Sequence, residues 1–136
     1  MRAVLDSNVL ISGLLSPSGA PAEVLRRWEQ GAFELVLSRW LLDELKRALG
    51  YPKLRRRIPE DQAAAFLRWL EASGTLTLDP EQTSSVRSED PGDDYLIALA
   101  AGERALLVSG DRHLLALADR IPVVSAQDFL RKLNPG

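Results

Sequence analysis

The chain has no cysteine and a single histidine, His113. The first absence excludes disulfides, thiolate nucleophiles and cysteine-ligated zinc or iron–sulfur centres. The second excludes metal sites built from several histidines and argues against a serine–histidine triad. No apolar run reaches membrane-spanning length, and the start lacks the basic-then-apolar pattern of a secretory leader. The expectation is a cytoplasmic protein with no membrane partner. Charge is also close to balanced, at a net −2. No global field therefore favours nucleic acid, and a local basic patch would have to do so. Chemistry is left to carboxylates, hydroxyls and basic side chains.

What is present suits a folded domain. With 136 residues, 46% of them hydrophobic, one domain over 1–136 is expected to bury a real core. Strand-length runs occur at Arg2–Leu5, Phe33–Leu37, Thr75–Leu78, Ala105–Val108 and Pro122–Val124. Helical patterns lie between and after them at Pro21–Gln30, Trp40–Leu49, Asp61–Ser73, Asp94–Ala101, Arg112–Asp119 and Ala126–Lys132. Alternation of this kind predicts an α/β fold: a parallel sheet of four to five strands with helices on both faces. The polar stretch Asp79–Gly92 reads as a surface loop. Sites in open α/β sheets form beyond the carboxyl ends of the strands, so the acids at those ends carry the functional question.

Asp6 ends the first strand, in "VLDSN", and Asp111 follows the strand Ala105–Val108, in "LLVSGD". Either could simply cap the next helix, a role worth about 1 kcal/mol. Glu44 falls with Leu41, Leu45 and Ala48 on one stripe of its helix. An acid facing inward is costly unless paired, protonated or metal-bound, whereas one at the stripe's wet margin is not. In "SEDPGDDYLIALA", Asp93 and Asp94 open an apolar helix, where the helix dipole favours acids by roughly 0.3–1 kcal/mol each. With Asp90 they bring more negative charge than a cap requires. If Asp6, Glu44, Asp93 or Asp94, and Asp111 converge, their repulsion keeps some of them protonated unless a divalent cation intervenes. Oxygen-only donors suit Mg²⁺ or Mn²⁺, and such sites perform phosphoryl transfer or phosphodiester cleavage.

In order along the chain, "VLDSN", "LLDEL", the acid before "IALA", and "VSGD" resemble the PIN-domain nucleases, most closely the VapC-like toxins and related toxin–antitoxin PIN proteins. The likeness runs over almost the whole chain. It implies a three-layer α/β/α sandwich and a Mg²⁺- or Mn²⁺-dependent endoribonuclease leaving 5′-phosphate and 3′-hydroxyl ends. Carried over, Asp6, Glu44, Asp93 and Asp111 are the catalytic, metal-binding acids. Asp94 is a supporting or alternative ligand, and Asn8 and Ser109 take the accompanying polar positions. The resemblance further implies an RNA substrate, an antitoxin partner and a homodimer.

The basic run Lys53, Arg55, Arg56 and Arg57, together with Arg112, is a candidate for RNA phosphates, against the plainer reading of a solvated turn. Trp28, Trp40 and Trp69 sit at helical spacing with leucines, which favours packing over a platform for bases. Two further classes stay open: another carboxylate–Mg²⁺ phosphoryl enzyme, in which Asp6 is a nucleophile, and a non-catalytic module of the same fold. The first lacks the second aspartate two residues after Asp6 that haloacid-dehalogenase-type phosphatases need.

Overall fold

A computed structural model describes residues 1–80 and 91–134, with the backbone alone for Pro91 and Gly92. Asp90 and most of the segment expected to be a loop lie outside the described residues. The strands are β1 (Arg2–Leu5), β2 (Glu34–Ser38), β3 (Thr75–Thr77), β4 (Leu106–Val108) and β5 (Val123–Val124). The helices are α1 (Ser7–Leu15), α2 (Ala20–Glu29), α3 (Arg39–Leu49), α4 (Pro52–Arg55), α5 (Glu60–Ser73), α6 (Pro91–Gly102), α7 (Arg112–Leu115) and α8 (Ala126–Leu133).

All pairings are parallel and the strand order is β3-β2-β1-β4-β5. The central strands read as near-continuous apolar runs because both faces are covered: Ala3, Val4 and Leu5 are fully buried, as are Leu35, Val36 and Leu37. The chain steps outward from β1 to β2 to β3, then returns to β4 on the other side of β1. Right-handed crossovers place helices on opposite faces when the direction reverses. The result is the expected α/β/α sandwich, with a switch point between β1 and β4.

Four strands hand over to a helix through a side-chain cap at the carboxyl edge. Asp6 accepts from the Asn8 N–H at 3.4 Å, Ser38 from Leu41 at 3.3 Å, Asp111 from His113 at 2.8 Å and Ser125 from Asp128 at 3.1 Å. Each satisfies one of the donors that a helix start leaves over. The capping reading of Asp6 and Asp111 therefore holds, and it leaves the remaining oxygens for other work.

The structure differs from the sequence expectation in a few places. The segment read as a basic turn opens with the short helix α4, whose Pro52 suits a first helical position. Helix α7 ends at Leu115 rather than Asp119, because Leu117, Ala118 and Arg120 donate to carbonyls only three residues back. That tighter pattern is turn rather than α-helix. Among the described residues no helix is long and apolar enough to cross a membrane.

Helix α8 closes the core. Phe129 is fully buried and meets Phe33 edge to face, with ring centroids 4.9 Å apart. Trp28 and Trp69 pack at 4.7 Å, so these two tryptophans serve the packing role expected of them. Phe129→Ala is expected to destabilise the chain by about 3–5 kcal/mol, the usual cost of emptying a buried aromatic position. Denaturant unfolding measures this, and a loss under about 1 kcal/mol would show that α8 is not part of the cooperative core.

Candidate active site

Because Leu5 pairs with Val108 and the Asp6 N–H bonds to the Val108 carbonyl at 2.9 Å, the next residues on the two strands, Asp6 and Ser109, lie side by side. Ser109 is fully buried and donates its hydroxyl to Asp6 Oδ2 at 2.9 Å. The Ser109 oxygen in turn accepts the Asp111 N–H at 3.0 Å. One hydroxyl thus ties the two strand-end acids together at the switch point.

Asp6 is 6% exposed. Burial pushes its carboxyl above the ordinary carboxylate range, and the negative charge of Asp111 adds to this. Hydrogen bonds from Ser109 and from the Asn8 and Ser7 side pull the other way without cancelling the desolvation.

A cleft of about 310 Å³ opens over this edge. Asp6, Ser7 and Asn8 contribute from the start of α1, Glu44 from α3, Asp93 from α6, and Asp111 from the cap of α7. Trp40, Leu41, Ala48, Tyr51 and Leu96 complete its walls. All four acids singled out in the sequence therefore border one space, although they come from four separate parts of the chain. Asp93 lines the cleft and is half-buried, whereas Asp94, equally compatible with the motif, is buried beside it and is not among the lining residues.

Glu44 is not inward-facing. Leu41, Leu42, Leu45 and Leu49 form the buried stripe of α3, and Glu44 stands at its wet margin with a third of its side chain exposed. Its carboxylate engages Arg47 at 2.6 Å, one helical turn on. A glutamate there incurs little desolvation, which is why this position tolerates an acid. Among the described residues, no three acidic or histidine side chains stand close enough to hold one ion as they are placed.

The basic candidates fall elsewhere. Lys53, Arg56 and Arg57 are exposed on and after α4, and the half-buried Arg55 reaches Glu60 at 3.6 Å. Arg112 is exposed at the start of α7. None of the five lines the cleft. Trp40 and Tyr51 do line it, and they were not singled out as site residues from the sequence. Part of the signal was available: Trp40, Glu44 and Ala48 recur at four-residue steps along one side of α3, and Tyr51 follows two residues after that helix ends.

A doubly wound parallel sheet with acids gathered over its switch point defines a class of α/β proteins whose sites lie in that crevice. Residues 2–113 match the PIN domain family, and the chain belongs to it. PIN domains are generally nucleases, that is, hydrolases. The chain is similar to the uncharacterized protein MJ1680 of Methanocaldococcus jannaschii, with 27% identity over 124 residues that cover 88% of this chain and 76% of the relative. Among solved structures it resembles PAE2754 from Pyrobaculum aerophilum, with a TM-score of 0.68 at 18% identity, covering 99% of this chain and 96% of the other. It also resembles VapBC2 from Rickettsia felis bound to a DNA fragment from their promoter, with a TM-score of 0.61 at 14% identity, covering 92% and 98%. At such identities the two structures attest the fold.

Burial of Asp6 sets a pH dependence of stability. Its raised value means that the folded chain holds this proton more tightly than the unfolded chain does. Stability is then lost as pH rises from the ordinary carboxylate range through the raised value. Asp6→Asn removes the charge and is expected to raise the melting temperature of the metal-free protein at neutral pH by about 3 °C, the shift that ~1 kcal/mol produces at this chain length. Calorimetry at acidic and neutral pH checks this. An Asp6→Asn variant less stable than the parent at neutral pH contradicts it.

Proposed function

We propose that this chain is a Mg²⁺- or Mn²⁺-dependent endoribonuclease whose catalytic acids are Asp6, Glu44, Asp93 and Asp111. The observation that carries the reading is the shared cleft: a buried, desolvated aspartate at the switch point with three further acids on the same walls. Such a set is oxygen-only and anionic, the chemistry that hard divalent cations take. The desolvation of Asp6 is the kind of strain that a bound cation relieves. Asp94 supports the set from behind Asp93, and Asn8 and Ser109 orient Asp6.

When bound, the cation polarises the scissile phosphate and activates and aligns a water for attack. The protein's own part is to hold that geometry. Ser109 fixes the rotamer of Asp6 and, through the Asp111 N–H, the approach of the α7 cap. Arg47 pairs with the Glu44 carboxylate, which would be one of the ligands of the cation. The cations Lys53, Arg55, Arg56, Arg57 and Arg112 are proposed to hold the flanking phosphates of RNA, as positioning contacts that carry no sequence information. The Rickettsia felis neighbour is a VapBC complex. By that likeness a toxin role with an antitoxin protein as partner is proposed for this chain, and a second copy of the chain and a cytoplasmic location are proposed with it.

The parent is expected to cleave RNA with Mn²⁺ or Mg²⁺ and to stop when EDTA is added. Asp6→Asn and Asp93→Asn should each lower the rate by on the order of a hundredfold or more, beyond the usual cost of losing an outer-shell partner. Mn²⁺ should also raise the melting temperature of the parent and leave that of Asp6→Asn unmoved. Cleavage that persists in EDTA, or in both variants at the parental rate, would sink the reading.

A further inference from the structure

The cleft that holds the acids has aromatic walls, and several interactions converge on fixing one of them. Trp40, at the start of α3, is half-buried and borders the cleft. Its ring packs on Tyr95 of α6, with centroids 4.0 Å apart and planes 32° from parallel. The Tyr95 hydroxyl is shared between Ser38, at 2.5 Å, and the Asp79 carboxylate. The other duty of that carboxylate is to accept the backbone N–H of Trp40 at 3.2 Å. Trp40 is therefore held by its ring and by its backbone through the same tyrosine–aspartate pair. Trp40 also packs in part against the core, but the buried residues of α3 are Leu41, Leu42, Leu45 and Leu49, and Trp40 keeps a side on the cleft.

Tyr51 borders the same cleft from the other end of α3 and is 52% exposed. At the helical rise, Trp40 lies about 6 Å along the axis from Glu44, and Tyr51 follows just past the far end of α3, in extended backbone before α4. Glu44 thus lies between the two aromatic residues in the chain, and all three border the one cleft. Two residues past Tyr51 the chain enters the basic run that begins at Lys53.

We infer that Trp40 and Tyr51 are stacking positions for two unpaired nucleobases of single-stranded RNA, one on each side of the phosphate to be cut. This deepens the nuclease reading and rests on it for the position of the scissile phosphate. Aromatic faces accept any base, so the subsite selects for strandedness more than for sequence. In a duplex the bases are stacked on one another and their faces are closed to the protein. Trp40, pinned by Tyr95 and Asp79, loses little freedom on binding, and the exposed Tyr51 adapts to the second base.

The test measures binding without turnover. Fluorescence anisotropy of labelled single-stranded oligoadenylate RNA is followed in EDTA, with a base-paired RNA of the same length as the second probe. Tyr51→Ala should weaken oligoadenylate binding by at least about fivefold, and Tyr51→Phe should restore it. Neither should change the affinity for the duplex. Trp40→Leu should behave like Tyr51→Ala, with Trp40→Phe retaining most of the affinity. Because Tyr51 is exposed, its variants test the inference even if Trp40→Leu fails to fold. Unchanged oligoadenylate binding by Tyr51→Ala overturns the inference, as does an equal loss on the duplex. If the parent cuts RNA with Mn²⁺ while Tyr51→Ala binds as the parent does, the stacking subsite alone is wrong. If Tyr51→Ala loses binding but the parent cuts nothing, the subsite stands and the nuclease reading falls.

Discussion

The parallel pairing of β1 with β4 brings Asp6 against Ser109, and the rest of the site is arranged around that contact. The register sets Leu5 opposite Val108, so the strands end level and their next residues meet. Slip the register by one residue and the Ser109 hydroxyl no longer reaches Asp6, while every core side chain of β4 turns to the wrong face. The apolar content of these two strands holds the register. A buried carboxyl, itself unfavourable, is carried by the packing around it.

The same edge shows how one residue serves two ends. Asp6 and Asp111 cap helices, and both also border the cleft. A carboxylate has two oxygens with several acceptor sites between them, and a single backbone N–H occupies only one. Helix starts add their own positive potential, which tempers repulsion among acids gathered there. Structural and chemical roles are therefore not rivals at this edge. The cap orients the acid, and the acid keeps acceptor capacity facing outward.

Helix α3 divides its sides by function. Leu41, Leu42, Leu45 and Leu49 anchor it to the core, while Trp40, Glu44 and Ala48, with Tyr51 just beyond its end, border the cleft. Arg47 holds Glu44 within the helix, an exposed pair that contributes little to stability and can exchange partners readily. Trp40 is held by the Asp79 carboxylate, which accepts its backbone N–H, and by packing on the Tyr95 ring. Partial desolvation works to raise the Asp79 carboxyl, but the hydrogen bonds from Tyr95, the Trp40 backbone and Ser38 outweigh it and hold it below its usual range, so this acceptor is charged at neutral pH. The corresponding effect on Tyr95, from burial and from Asp79, is to keep its hydroxyl protonated and donating.

Much of this was legible in the order of residues. Apolar runs that end abruptly in an acid mark β1–Asp6 and β4–Asp111, because burial and capping act over a few neighbouring positions. The order β, α, β likewise points to a parallel sheet, since parallel strands require crossovers. Glu44 was recognisable as unusual, but its local pattern could not distinguish a core-facing acid from one at the margin. Only the packing of α3 decided that it faces the cleft. The Asp79–Tyr95–Ser38 contacts, the half-burial of Trp40 and the entry of Tyr51 into the cleft were likewise invisible. They join positions 16 to 57 residues apart, and no local propensity specifies such distances. Local residue order is enough to say which acids stand at strand ends. That they share one space follows from the strand order and the packing of α3, because a site at a switch point exists only once strands distant in the chain lie side by side.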